Sequence, residues 1–98
     1  MENVILHVYY HCQPGMSLAF VQALKTSGLQ AMVQAEDGCI QYDYHISCEE
    51  DDTVVLLEKW RDAAALEKHL TQPHMDAIRA TKEQYVEETK LEKFCVKE

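Results

Sequence analysis

Two strand-like segments separated by an acidic turn are the feature that most constrains this chain. Residues 39–48 and 53–61 are rich in β-branched and aromatic side chains, and four consecutive acids, residues 49–52, stand between them. This order predicts a β-hairpin, because such side chains favour strands and a polar cluster favours a turn. Trp60 lies near the end of the second strand, and the segment after it brings His69 close to the hairpin in sequence.

The segment between the first strand and the hairpin predicts one helix over residues 16–34. Leu18, Val21 and Met32 are among its apolar residues at roughly helical spacing. Gly28 falls in the middle of this segment. It either weakens the helix or lets the helix approach the sheet closely.

A second helical region follows the hairpin. Asp62 is a good N-cap for a helix that begins at Ala63. Leu66, His69 and Leu70 are predicted on one side of this helix, and Pro73 interrupts it before a second helical segment.

The remaining strands complete a four-stranded sheet. Residues 3–12 and 85–97 both predict strands. In the last strand, alternation places three apolar residues on one face: Val86, Phe94 and Val96. Leu91 falls on the other face, which indicates a bulge or a late start of the strand. The order βαββαβ predicts an α+β, ferredoxin-like fold with a four-stranded antiparallel sheet and both helices on one face. We expect residues 1–98 to form a single domain.

The third strand indicates that the sheet is covered on both faces. Val54 and Leu56 alternate with Val55 and Leu57, so the strand is almost continuously apolar. The helices of one chain can cover only one face. We therefore expect a second copy of the chain to cover the other and form a homodimer.

Charge and cysteine usage exclude several classes of function. The net charge of −8 disfavours nucleic acids and anionic membranes as partners, and no run approaches the roughly 20 apolar residues of a membrane span. The four cysteines include no C-x-x-C pair, which disfavours a zinc knuckle or a thioredoxin-like site. Reduced thiols in a cytoplasmic protein are the simplest interpretation.

Several side chains near the hairpin could carry chemistry, and each has a structural alternative. Glu58 and Trp60 share one face of a strand. Glu58 is either a general base with a raised pKa or a member of an ion pair. Trp60 either stacks on a flat ligand or fills the core. His69 and His74 are five residues apart across Pro73, a spacing that does not predict a metal site. His69 could instead line a pocket, and His74 could dock the second helical segment. One face of the first hairpin strand carries Ile40, Tyr42, Tyr44 and Ile46, where the two tyrosines either direct hydroxyl groups into a cavity or pack across strands.

The stretches G-C-I-Q-Y-D-Y, L-L-E-K-W and A-L-E-K-H-L-T-Q-P-H resemble the antibiotic biosynthesis monooxygenase superfamily, in particular its small quinol-monooxygenase-like members. The resemblance covers nearly the whole chain. It implies a dimeric α+β barrel and the oxidation of small aromatic or quinol substrates by dioxygen without a metal, flavin or haem. The haem-degrading relatives use an Asn, Trp and His set, and the matching positions here are Val8, His69 and Arg79, so the resemblance disfavours haem degradation.

Two functions remain open from the sequence. The first is a cofactor-independent monooxygenase with a cavity between sheet and helices, walled by Trp60, Tyr44 and His69, where a quinol stacks on Trp60 and loses a proton to His69. Tyr42 would also bind the substrate. Glu58 would then be a nearby proton acceptor or orienting group, and His74 would lie at the pocket mouth. The second is a non-enzymatic dimeric module that binds a small ligand.

Overall fold

The computed structural model describes residues 2–97 and contains the predicted βαββαβ order, with each predicted helical region divided in two. Its elements are β1 (Glu2–Cys12), α1 (Ser17–Thr26), α2 (Leu29–Gln34), β2 (Cys39–Ile46), β3 (Thr53–Trp60), α3 (Ala63–Leu70), α4 (His74–Tyr85) and β4 (Val86–Lys97). The four strands form one sheet in the order β2-β3-β1-β4, and every neighbouring pair is antiparallel. This topology confirms the ferredoxin-like fold.

Gly28 divides the region that was predicted to be one helix. Its φ of +82° is left-handed, so α1 ends before it and α2 begins after it. No atom lies within 4 Å of the position that a Cβ of Gly28 would occupy, so the glycine serves the turn and not a close approach to the sheet. Five apolar side chains that fall on the predicted helix and strand faces are about half exposed: Leu18, Met32, Ile40, Ile46 and Leu70.

The start of the second helical region is as predicted. The side chain of Asp62 accepts a hydrogen bond from the Ala65 backbone N–H at 2.8 Å, which caps α3. Pro73 immediately precedes α4, where its missing N–H leaves no intrahelical bond unmade. These two residues fix the positions at which α3 and α4 begin.

A bulge in β2 changes the face on which its residues lie. The pairing with β3 shifts between Cys39 and Gln41, so Ile40 has no partner residue and its side chain faces solvent. The prediction that Ile40 shares a face with the tyrosines is therefore wrong. Tyr42 and Tyr44 are buried on the helix-covered face.

The predicted irregularity in β4 is confirmed, although its consequence differs from the expectation. Cys12 pairs with Val86 and His11 with Glu88, so one extra residue bulges at Glu87. Residues after the bulge change faces relative to those before it. Val86 therefore packs against the core, whereas Phe94 lies on the opposite face, and the two do not share a phase.

One side of the sheet packs on the helices and forms the core. Its strands contribute alternate residues, as the period of two requires. The largest fully buried side chains of this core are Trp60, Phe20, Leu24, Leu56, Val4, Val33 and Val54. No helix within residues 2–97 is both long enough and apolar enough to cross a membrane.

The four cysteines are all free thiols. Cys12 is buried and Cys39 is half-buried. Burial, together with the nearby carboxylates of Glu36 and Glu58, raises the pKa of the Cys39 thiol to about 11. This thiol therefore remains protonated near neutral pH and is a poor nucleophile.

We expect thermal stability to be independent of reductant. Melting temperatures with and without dithiothreitol should agree within about 2 °C, because no disulfide contributes to the fold. A disulfide worth about 2 kcal/mol would separate the two curves by roughly 8 °C or more. Differential scanning calorimetry measures this, and a separation of that size would contradict the expectation.

The helices formed by residues 2–97 lie on one face of the sheet and leave the opposite face uncovered. Val55 and Leu57 lie on this face with Ile5, and all three are partly exposed. Phe94 packs its ring against His7 at a centroid distance of 5.3 Å and is 45% exposed. An apolar surface along the two central strands and β4 is typical of an association surface.

We expect the chain to form a homodimer through this face. Sedimentation at micromolar concentration should give twice the chain mass of 11.3 kDa. Leu57→Lys should shift the protein toward monomer, because it buries a charge in the interface. The control is Gln22→Lys, on an exposed position of α1. A wild-type monomer, or equal dimerisation of both variants, would contradict this expectation.

Candidate functional site

The carboxyl group of Glu58 is buried on the helix-covered face of β3. Trp60, two residues along the strand, donates from its indole Nε1 to Glu58 Oε1 at 2.9 Å. Burial raises the pKa of Glu58 to about 7; the indole hydrogen bond opposes this and the charge of Glu36 adds to it. Glu58 is therefore present in both protonation states near neutral pH.

A carboxylate that the sequence did not single out joins the two histidines. Glu36 lies in the turn after α2, and its Oε2 is 2.9 Å from His69 Nδ1 and 2.7 Å from His74 Nε2. All three side chains are about 90% buried or more. A carboxylate can only accept hydrogen bonds, so each of these ring nitrogens donates. In a neutral His69 ring, Nε2 is consequently the proton acceptor.

Aromatic side chains fix the position of the His69 ring. Trp60 packs against it at a centroid distance of 4.5 Å with 31° between the planes, and Tyr42 approaches edge-on at 5.8 Å. The Tyr44 hydroxyl donates to the Tyr42 hydroxyl at 3.3 Å. Burial raises the pKa of both tyrosines well above their usual range, so both remain neutral hydrogen-bonding groups.

A cavity of about 370 Å³ lies between the sheet and helices α3 and α4. Tyr42, Glu58 and His69 provide polar groups in its wall, and the rest is largely aliphatic. Trp60 is fully buried behind His69, and Tyr44 and His74 are likewise absent from the wall. Three cations are also among its lining residues: Arg79, Lys82 and Lys93.

A larger depression of about 560 Å³ lies mainly on the other side of the sheet, beside Tyr9, His11 and Lys90. It is shallow and belongs largely to the face that we expect a second subunit to cover. It lacks the buried polar groups that converge on the smaller cavity. The smaller cavity is therefore the candidate site.

The structure brings five of the six sequence-selected residues into one connected group around His69. Glu58 bonds to Trp60, Trp60 packs on His69, and His69 packs on Tyr42, which bonds to Tyr44. His74 joins the group through Glu36. Glu36 is 33 residues from His69 in sequence, so no local spacing could have identified it.

Comparisons with known proteins agree with this fold, and the matched part of the chain contains the site residues. Residues 3–81 match the family model for antibiotic biosynthesis monooxygenase. A Bacillus subtilis (strain 168) protein named "Putative monooxygenase YcnE" is 34% identical over 78 residues, which cover 76% of this chain and 77% of that protein.

Solved structures share the fold over nearly the whole chain. The crystal structure of PA3566 from Pseudomonas aeruginosa has a TM-score of 0.81 and 29% identity, covering 96% of this chain and 93% of that chain. A Caulobacter crescentus CB15 protein has a TM-score of 0.85 at 18% identity, covering 98% of this chain and 91% of that chain. At 18% identity, the similarity to the Caulobacter crescentus protein shows a shared fold and nothing further.

Glu58 should make stability depend on pH. Its pKa is raised in the folded chain, so stability is lost as pH rises from about 4.5 to about 7 and then levels off. At roughly 1.4 kcal/mol per pH unit, the loss is on the order of 3 kcal/mol. Glu58→Gln lacks this titration but retains an acceptor for Trp60, so it should gain stability relative to wild type across that interval.

Urea denaturation at pH 4.5, 6 and 8 measures this difference. The matched control is Glu67→Gln, an exposed glutamate of α3, which should track the wild type at every pH. A constant difference between Glu58→Gln and wild type would show that Glu58 titrates normally.

Proposed function

Because the chain belongs to the antibiotic biosynthesis monooxygenase family, we propose that it is a monooxygenase that oxidises a small aromatic or quinol substrate with dioxygen. The reaction would use no metal, flavin or haem, since a deprotonated electron-rich substrate supplies the electrons itself. The observation that carries this proposal is the His69 ring in the cavity wall, with Nδ1 held by Glu36 and Nε2 left as its acceptor.

His69 is the proposed general base. It removes the proton from a phenolic hydroxyl, and the resulting phenolate gives one electron to dioxygen. The two radicals combine at a ring carbon to form a C–O bond. The hydroperoxide then eliminates water: the O–O bond breaks, the hydrogen on the same ring carbon leaves as a proton, and a quinone carbonyl forms. The overall change is substrate plus dioxygen to quinone plus water.

The neighbouring groups support this base in different ways. Glu36 holds His69 in one tautomer, and His74 occupies the other hydrogen-bonding direction of Glu36 Oε2. Trp60 restrains the His69 ring from behind, which is a positioning role. Glu58, with its pKa of about 7, is suited to return a proton when water leaves. Tyr42 is a neutral hydrogen-bonding group in the same wall.

A non-enzymatic ligand-binding module is the second candidate. The cavity wall is mostly aliphatic, and the Glu58 carboxyl already has the indole as a partner. These features suit the retention of an apolar molecule as well as its oxidation. Binding of a quinol without consumption of oxygen would favour this candidate.

We also propose that the protein works in the cytoplasm. The thiols of the chain are unpaired. Unpaired thiols are usual in a reducing compartment.

Oxygen uptake and quinone formation with a panel of quinols test the proposed reaction. His69→Asn should lower the rate by about 100-fold or more, because it removes Nε2 while its amide nitrogen can still donate to Glu36. Glu67→Gln, at an exposed position of α3 that does not line the cavity, should retain the wild-type rate.

Two outcomes would count against this mechanism. If wild type oxidises no quinol of the panel faster than buffer does, the monooxygenase proposal fails. If it does oxidise a quinol but His69→Asn retains the full rate, the base is another group, and Glu58 becomes the next one to change.

A further inference from the structure

We propose that Glu36, His69 and His74 bind one divalent transition-metal ion of the zinc type, and that the bound ion turns off the base in the cavity wall. Ion binding follows from the cluster itself. The inhibitory effect rests on the function proposed above.

The three side chains offer a suitable ligand set. Two imidazole nitrogens and a carboxylate oxygen lie within 4.8 Å of one another. Zinc, cobalt and ferrous ions favour such nitrogen and oxygen ligands, whereas magnesium favours oxygen alone. Zinc bonds of about 2.1 Å would need the ligand atoms roughly 3.4 Å apart. The carboxylate must therefore move outward by about half an ångström, and the two imidazole nitrogens, which lie within 4.8 Å of each other, must close to the same spacing.

The carboxylate has room to make that adjustment. Both of its oxygens face the imidazole of His69, with Oε1 at 3.1 Å and Oε2 at 2.9 Å from Nδ1, so a pivot exchanges one for the other. Glu36 sits in a turn, held by backbone bonds to Val33 and Cys39. A rotation of its side chain requires no change in the sheet.

A crevice reaches Glu36, one member of the cluster, from solvent. It has a volume of about 160 Å³, and Glu36 forms part of its wall beside Asp37, Ala65, Lys68 and Gln72. Asp37 is paired with Arg61 at 3.1 Å and is not needed as a ligand. The positive charge of Lys68 opposes a cation, but this side chain is exposed and solvent screens it. Water from the crevice can complete the coordination.

Metal binding would change the tautomer of His69. A metal ion on Nδ1 replaces the proton that now bonds to Glu36, and the neutral ring then carries its proton on Nε2. His74 would bind through Nε2, and the proton that Nε2 now donates to Glu36 would likewise move to Nδ1. No proton need leave the protein, but Nε2 of His69 changes from an acceptor to a donor. The cavity wall thereby loses its base.

Calorimetric titration tests the ion site. The chain is stripped with chelator and desalted, and Cys48→Ser and Cys95→Ser are introduced to remove the exposed thiols. Zinc chloride should then bind at one ion per chain, and magnesium chloride should not bind. Cobalt chloride should give visible absorption bands with the same stoichiometry.

One substitution separates a metal site from a hydrogen-bonded cluster. His74→Gln places an amide nitrogen near the position of Nε2, which can still donate to Glu36 but does not ligate zinc. It should weaken zinc binding by at least roughly 100-fold. The control is His45→Gln, at an exposed histidine of β2 outside the cluster, which should bind as the parent does. Absence of zinc binding, or equal affinity in His74→Gln, would overturn the site.

The inhibitory effect has its own readout. Nitrogen-15 NMR of the His69 ring should show Nε2 unprotonated without zinc and protonated with it. Quinol oxidation should fall on zinc addition and recover with chelator. One zinc per chain with an unchanged His69 tautomer would overturn the inhibitory role. If no quinol is oxidised, the proposed function fails, whereas the titration and the NMR spectra still decide this proposal.

Discussion

The hydrogen bonds from two histidines to one buried carboxylate determine how the helices meet the sheet. Glu36 belongs to the turn before β2, His69 to α3 and His74 to the start of α4. The Glu36 turn and two consecutive helices more than 30 residues further along the chain therefore meet at one oxygen atom. Removing one partner would leave a buried polar group without its bond, which costs about 1–3 kcal/mol and more for a charged group. This contact both holds α3 and α4 in place and orients the ring on which the proposed chemistry depends.

The core tolerates other polar groups because each has a specific partner. Glu58 has the indole of Trp60, and Tyr42 has the hydroxyl of Tyr44. Burial of Glu58 still destabilises its charged form, which is why its pKa approaches 7. An aliphatic side chain at this position would avoid that cost. The titrating carboxyl of Glu58 in the cavity wall therefore lowers the stability of the fold. Groups with strongly shifted pKa values of this kind cluster at functional sites.

Local patterns in the sequence predicted the elements, and long-range contacts decided the rest. The hairpin, the Asp62 cap and the irregularity of β4 follow from spacing and from turn chemistry. Glu36 could not be found in this way, because a single acid in a turn has no periodicity to interpret. The face on which Ile40 lies also depends on the bulge in β2. A bulge interrupts the strict alternation of faces, so residues on its two sides no longer follow one pattern.

The helix break had a local signal that can be interpreted in two ways. Gly28 is compatible with both close packing and a left-handed turn, and only the backbone angle distinguishes them. Leu18 and Met32 show a different limit of pattern-based prediction. A helix of a small domain covers the sheet with a narrow stripe, and apolar residues just outside that stripe remain exposed.

The site and the uncovered face share the same strand. Along β3, Glu58 and Trp60 point toward the helices, while Leu57, next to Glu58, points to the other face. A second subunit on that face would restrain the backbone from which the site residues project, although no residue of the partner need enter the cavity. Glu58 hydrogen-bonds to Trp60, which in turn packs on His69, so the orientation of the His69 ring depends on how firmly β3 is held. The near-continuous apolar sequence of β3 therefore serves two surfaces at once: one side supports the candidate cavity, and the other side offers the area on which association can stabilise it.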